Sequence, residues 1–328
     1  MSYTFGLLRI GLAGVIWGSI PLFVRAVEAS PFVIVFWRVA FGAAAALVYL
    51  LVTRRFREVL RLDLRALGAL LAVGALLAVN WLLFLSALIL TKVAVAELLG
   101  YTGPVFVVAL APLIGREAFD RRILLPLSLA LGGTAVIIGL GRLALEGSEG
   151  LLGAVLAFCS ALTYAGLMLT GKRLIRSIPA PVLVFGEYVF ASILLLPAAL
   201  LLPGPSTPTE WGALAILGIV HTTAAALIFF SGLRVVRADH AAVFMYAEPV
   251  TAVIFAAAFL GEPLGWATVV GGAAVVAAGV LVARMSPPTG LEAAPGLTDT
   301  PTAAASAAAD GLESEGIHQV TGQRRGPE

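Results

Sequence analysis

Apolar residues in this chain come in unbroken runs of about 20, the length a helix needs to cross a hydrocarbon core of about 30 Å. Ten such runs can be drawn, over residues 4–25, 31–52, 66–88, 93–113, 123–141, 151–170, 180–202, 211–230, 240–260 and 264–283. No water is available in lipid to satisfy backbone N–H and C=O groups, so each segment must pair its own, as a helix does. A closed barrel would show alternating rather than continuous apolar positions. Charged residues make up only 12% of the chain, where soluble domains carry about 25%. The expected fold is an all-α integral membrane protein with ten transmembrane helices. The first run is long for a signal peptide, contains Trp17 and Pro21, and shows no convincing cleavage site, so it reads as an uncleaved first span.

The chain also repeats itself. Residues 86–117 and 231–262 match Ser86 to Ser231, Tyr101 to Tyr246, Pro104 to Pro249 and Glu117 to Glu262, at a constant spacing of 145. In spans two and seven, FWRVAF (36–41) lies over FGEYVF (185–190), which sets Arg38 opposite Glu187. Gly132-Gly133 and Gly271-Gly272 begin similar small-residue runs in spans five and ten, where small residues let helices approach closely. Spans one and six match too loosely to fix a register. The chain therefore divides into a first five-helix repeat (1–143), a second (144–283) and a tail (284–328) rich in Ala, Gly, Pro, Ser and Thr. Such a tail buries too little apolar surface to offset its ordering entropy and reads as disordered and cytoplasmic.

Basic residues test the relation between the halves. With a cytoplasmic N terminus, 17 of the 21 Lys and Arg fall on the cytoplasmic side, and only Arg25, Lys92 and Arg142 opposite. The positive-inside rule then puts both termini in the cytoplasm. Five spans per half is an odd number, so the second repeat must enter the membrane inverted. The second and fourth loops of the first half hold 5 and 3 basic residues, and their counterparts in the second half hold none. Similar units of opposite charge bias make an inverted 5+5 repeat, the plan of many secondary transporters.

Ionisable groups inside a span are costly and normally face a cavity or a partner. Glu248 lies near the middle of span nine and precedes Pro249, which removes a backbone hydrogen bond and frees a carbonyl. Its repeat-related residue is Gly103, so the carboxylate occurs in one half only. It reads either as a substrate- or proton-binding group or as a structural carboxylate pairing with Arg38. Arg38 and Glu187 read as a buried ion pair or as parts of an anion site. Glu97 sits about one turn inside span four, within reach of the interface by snorkelling. His221 has the titration range for proton coupling but equally suits a satisfied core position. Trp17, Trp81, Tyr101 and Tyr246 lie well inside spans, and either line a cavity or pack. Asn80 needs a hydrogen-bond partner, from another helix or a substrate. Trp211 and Trp266 begin spans and read as interfacial belt residues. Asp239 and His240 fall near the cytoplasmic interface, where solvated charge is ordinary.

Trp17-Gly18 in span one, Arg38 in span two, Asn80-Trp81 in span three, Tyr246-Ala247-Glu248-Pro249 in span nine and Leu260-Gly261-Glu262 after it resemble the EamA-type family of the drug/metabolite transporter superfamily. The likeness covers residues 5–283; Asp239-His240 and His221 depart from the usual pattern. The resemblance implies a carrier, usually an exporter, of small metabolites such as amino acids or drug-like compounds. The halves would rock around a central cavity. Expected substrate-binding residues are Glu248, Arg38, Trp17, Asn80, Trp81, Tyr101 and Tyr246. Glu248, Glu187 and His221 are the proton-coupling candidates.

Nothing in the sequence reads as an enzyme: there is no metal-ligand spacing, nucleotide-binding loop or nucleophile elbow, so no metal or cofactor is expected. The lone Cys159 can form no internal disulfide and reads as a small buried residue. The basic stretch at 54–65 is a topology signal with acids interleaved, so nucleic acid is not an expected partner. The expected partners are the substrate and the lipid bilayer, in a bacterial inner membrane, and a homodimer is compatible with the chain. The rival readings are a channel and a membrane-embedded lipid-modifying enzyme.

Overall fold

A computed structural model describes residues 2–91, 93–115, 117–139, 147–261 and 265–285. Lys92, Arg116, Arg142, Glu262, Arg324, Arg325, the boundary between the halves at 143 and the tail beyond Met285 lie outside them.

Ten helices are long and apolar enough to cross a membrane: Tyr3–Val24, Pro31–Val52, Leu64–Leu90, Val95–Ile114, Arg121–Ile138, Gly147–Leu174, Ala180–Leu201, Pro208–Leu233, Ala238–Phe259 and Trp266–Arg284. They are called spans one to ten below, and each overlaps the run expected from sequence. Large apolar side chains such as Val269 (65% exposed) and Leu151 (56%) face outward, as a lipid-facing surface requires.

Local chemistry sets the span ends. The Asp63 carboxylate accepts the Ala66 N–H at 2.8 Å and starts span three. Thr207 and Glu210 form a capping box at the start of span eight. Glu210 also accepts the Glu28 N–H at 2.8 Å, which fastens the connection after span one. Gly261, with φ +68°, closes span nine in the left-handed conformation that favours glycine.

Spans four and nine are each broken in two, into Val93–Gly100 and Gly103–Leu110, and into Ala238–Phe244 and Ala247–Leu260. Pro104 and Pro249 fall in the first turn of the second piece, where a missing N–H costs nothing. Span eight carries a π-helical segment, Leu217–Ala224, at its middle.

The packing scheme maps onto itself when spans one to five are exchanged for six to ten. Span five packs on ten and two on seven, while one on eight mirrors six on three. Gly133 and Gly271 meet backbone to backbone. A Cβ added to Gly133 would also reach Ala274 and Val275, and one on Gly271 would reach Ile137, so these helices run antiparallel. The reciprocal contact equates Gly133 with Gly271, while Gly132 touches nothing within 4 Å.

Glycine contacts also supply the register that spans one and six lack in sequence. A Cβ on Gly6 would lie 2.6 and 2.7 Å from Val235 and Val236, and one on Gly153 would lie 2.7 Å from Thr91. Thr91 and Val236 are repeat partners, so Gly6 matches Gly153 at a spacing of 147. The same spacing sets Gly14 over Ala161: Gly14 faces the backbone of Glu248, and Ala161 faces Gly103, the repeat partner of Glu248. Trp17 is thereby matched to Tyr164.

Candidate functional site

The two helix breaks meet. Tyr246 is fully buried, and its hydroxyl donates to the Tyr101 carbonyl at 2.6 Å. The ring centroids lie 6.2 Å apart. The repeat-matched tyrosines thus tie one broken helix to the other, through a carbonyl at the break of span four. Tyr246 acts as a brace rather than an open cavity wall, while the Tyr101 side remains half-buried.

Glu248 stands in the first turn of Ala247–Leu260, where the helix dipole favours a carboxylate. It is half-buried, its backbone N–H lies against Gly14 of span one, and the charges of Glu97 and Arg38 act on it. Tyr101 and Tyr164 lie within the same electrostatic neighbourhood. Among the described residues neither Glu248 nor Glu97 has a side-chain hydrogen bond or ion pair. Tyr164 escaped the sequence reading; the signal for it is its match to Trp17, hidden by the missing register.

The Arg38 guanidinium lies 4.2 Å over the Trp81 ring, and its Nε donates to Thr222 Oγ1 at 2.8 Å. The terminal nitrogens have no partner among the described residues. The expected pair between Arg38 and Glu187 does not form. Arg38 turns to span eight, whereas the Glu187 backbone packs on Gly74 of span three. Glu187 is 4% exposed and its side chain has no hydrogen bond or ion pair among the described residues. Equivalent places in two repeats did not mean contact.

The π-helical segment is a hub. Trp17 Nε1 donates to the His221 carbonyl at 2.6 Å, the Tyr188 hydroxyl to the Thr222 carbonyl at 3.1 Å, and Thr223 to the Gly42 carbonyl at 2.7 Å. A π-turn displaces carbonyls from the regular ladder, and side chains of spans one and seven take them up. His221 is buried, with Nε2 on Ser19 Oγ at 2.8 Å, Nδ1 near the Ile216 carbonyl at 3.3 Å and its ring against Phe23. Both nitrogens are engaged, which is the arrangement of a satisfied core histidine.

Asn80 is buried and donates to the Ser160 carbonyl at 2.7 Å and to Thr163 Oγ1 at 3.0 Å. It joins span three to span six, while the next residue, Trp81, carries Arg38. Trp211 packs edge-on against Trp37 at 4.6 Å, whereas Trp266 is 77% exposed and suits a belt position. Cys159 is only half-buried.

A second set of ionisable groups lies at the end where spans four, six and eight finish. Lys172 pairs with Glu117 at 3.2 Å and donates to the carbonyls of Leu233 and Val236. Glu117 accepts the Ala238 N–H at 2.9 Å. Arg237 makes a two-pronged pair with Asp239 at 3.0 and 2.6 Å and donates to the Ala118 carbonyl at 2.7 Å. Hydrogen bonding to Asp239 raises the affinity of Arg237 for its proton. The Tyr3 hydroxyl hydrogen-bonds His240 Nδ1 at 2.6 Å. The sequence reading placed Asp239 and His240 in solvent, yet they are 3% and 1% exposed. Their partners come from elements distant in sequence, and those partners let the charges be buried.

The geometry agrees with the comparisons to known proteins. The model of the EamA-like transporter family matches residues 4–139 and 151–284. An uncharacterized transporter of Archaeoglobus fulgidus is 31% identical over 279 residues, covering 85% of this chain and 96% of its own. A second uncharacterized transporter of that organism is 26% identical over 281 residues, covering 82% and 94%. One crystal structure superposes with a TM-score of 0.76 at 21% identity, over 86% of this chain and 98% of its own, a likeness of fold. This multi-pass chain belongs to the EamA-like transporter family, within the drug/metabolite transporter superfamily.

Proposed function

We propose that the protein is a secondary carrier that exports small metabolites, amino acids or drug-like compounds, by alternating access of two inverted five-helix repeats. The observation that carries this reading is a pair of opposite charges beside two broken helices whose outer atoms, the Arg38 terminal nitrogens and the Glu248 carboxylate, have no hydrogen-bond or ion-pair partner among the described residues. Arg38 presents free terminal nitrogens on a Trp81 platform, and Glu248 presents a free carboxylate at a half-helix N terminus. Unpaired charge inside a bundle is costly, and a bound ligand offsets that cost. Arg38 suits a carboxylate, Glu248 an amine or a proton, and Trp17, Trp81, Tyr101 and Tyr164 the apolar body between them.

The antiparallel contact of spans five and ten, together with the exchange symmetry of the packing, supports the inverted arrangement. The charge count supports a cell-membrane location with both termini in the cytoplasm. Without a nucleotide-binding loop, transport is passive or draws on an ion or exchange gradient.

Counterflow into proteoliposomes loaded with single amino acids or small amines tests the reading. A carrier gives saturable exchange, and Glu248→Gln lowers it at least about tenfold while the protein still folds. Linear, unsaturable flux would identify a channel instead. Unchanged exchange in Glu248→Gln would remove this carboxylate from the site.

A further inference from the structure

The buried charges at the end of spans four, six and eight do more than hold the fold. We propose that Glu117, Lys172, Arg237 and Asp239, with Tyr3 and His240, form a gate that is closed in this structure and must separate for the cavity to open on that side. The charge count assigns that side to the cytoplasm. The inference rests on the alternating-access reading above.

The gate is built of side chains that bridge elements rather than stiffen one. Lys172, on span six, ties the last carbonyls of span eight to Glu117, which follows span four. Glu117 in turn caps the start of span nine through the Ala238 N–H. Arg237 closes a second loop from Asp239 to the Ala118 carbonyl. Tyr3 brings the start of span one onto His240. Five spans are fastened at one end by two positive and two negative groups, so the cluster is neutral and tolerates burial.

Burial along span nine gives the state. Six of the seven residues of Ala238–Phe244, on the gate side of the break, are buried. Beyond the break, Pro249 alone is buried among the described side chains of Ala247–Leu260. The repeat partner of the sealed piece, Val93–Gly100, is less closed among its described side chains: Val95 and Ala96 are buried, while Glu97, Leu98, Leu99 and Gly100 are half-buried. Matched half-helices with unlike burial fit one limit of a two-state carrier, closed toward the gate, which leaves the far side as the open one in the proposal.

His240 Nε2 supplies an independent sign. It is buried with no hydrogen-bond partner, one of two such side-chain atoms among the described residues. An orphaned polar atom is a cost that opening removes by admitting water.

The test uses two reporters in a Cys159→Ala background and a membrane-impermeant maleimide. Ala241→Cys reports the sealed side from inside-out vesicles, and Thr251→Cys the open side from right-side-out vesicles. Lys172→Met should raise labelling at 241 at least about tenfold and lower it at 251. Tyr3→Phe, which removes one hydroxyl and leaves the ion pairs intact, should shift both in the same directions by less. A bundle that is merely loosened would label faster at both positions, and that result would overturn the gate. So would unchanged labelling in both variants. Opposite shifts at 241 and 251, in a protein that moves no tested solute, would uphold the gate while removing support for the carrier reading.

Discussion

Asn80→Ala should weaken the bundle and leave substrate recognition in place. The Asn80 amide gives its N–H groups to the Ser160 carbonyl at 2.7 Å and Thr163 Oγ1 at 3.0 Å, joining spans three and six. Hydrogen bonds between transmembrane helices contribute about 0.6 kcal/mol each on average, so the two bring about 1.2 kcal/mol. Truncation also leaves a small void at an 8%-exposed position, which brings the expected loss to about 2 kcal/mol. Thermal unfolding of the purified protein, followed by tryptophan fluorescence, should show a Tm lower by a few degrees. Asn80→Asp is the sharper variant. It keeps the shape but removes the donors and faces the Ser160 carbonyl with an oxygen, so it should destabilise more than alanine does. In counterflow, the KM of Asn80→Ala should stay within about twofold of the parent. A KM raised about tenfold with Tm unchanged would refute the reasoning and return the amide to the substrate.

Two further substitutions probe the site and its frame. Arg38→Lys keeps the charge but loses the planar fork over Trp81, so counterflow KM for carboxylate-bearing solutes should rise about tenfold, with a smaller change for amines lacking one. An equal rise for both classes would argue against an anion role. Gly133→Ala sets a methyl group 2.5 Å from the Gly271 carbonyl oxygen, where backbone must move, so unfolding should become easier by about 1–3 kcal/mol. Gly132→Ala, one residue away in open space, should be neutral, and equal losses at the two sites would refute the contact.

The ten spans could be read from the chain because lipid leaves the backbone one solution, and Pro249 marked a disturbed backbone in span nine, whereas the break in span four was not read. Tyr101 and Tyr246 read as cavity-lining or packing residues at matched positions, and their direct contact was not read. What escaped was the direction of side chains. Arg38 and Glu187 share a repeat position, yet the turn of each helix sends them to different neighbours. Asn80 stayed open between another helix and a substrate because its partners on span six are a carbonyl and a hydroxyl, and pattern does not mark such acceptors. Asp239 and His240 read as solvated because sequence shows distance from the membrane core and not what closes over it. The register of spans one and six hid in Gly6, Gly14 and Gly153, whose information lies in the absence of a side chain, and in Ala161, which carries only a methyl group. The charged side chains that make up the buried cluster (Glu117, Lys172, Arg237 and Asp239) come from three separate stretches of chain, and no local window contains it.

The meeting of Gly133 with Gly271 has a mechanical consequence. Where the two backbones touch no side chain stands between them, and Ile137, Ala274 and Val275 flank the contact, so a small roll of one helix on the other displaces few side chains. The contact works as a bearing. The ion-paired end works as a clasp, because its bonds have direction and must part before the helices move. The alternating access proposed above needs both, a smooth pivot that stays closed and a fastening that opens. A side chain added at the pivot would act as friction, changing the rate of each swing more than the affinity for whatever is carried.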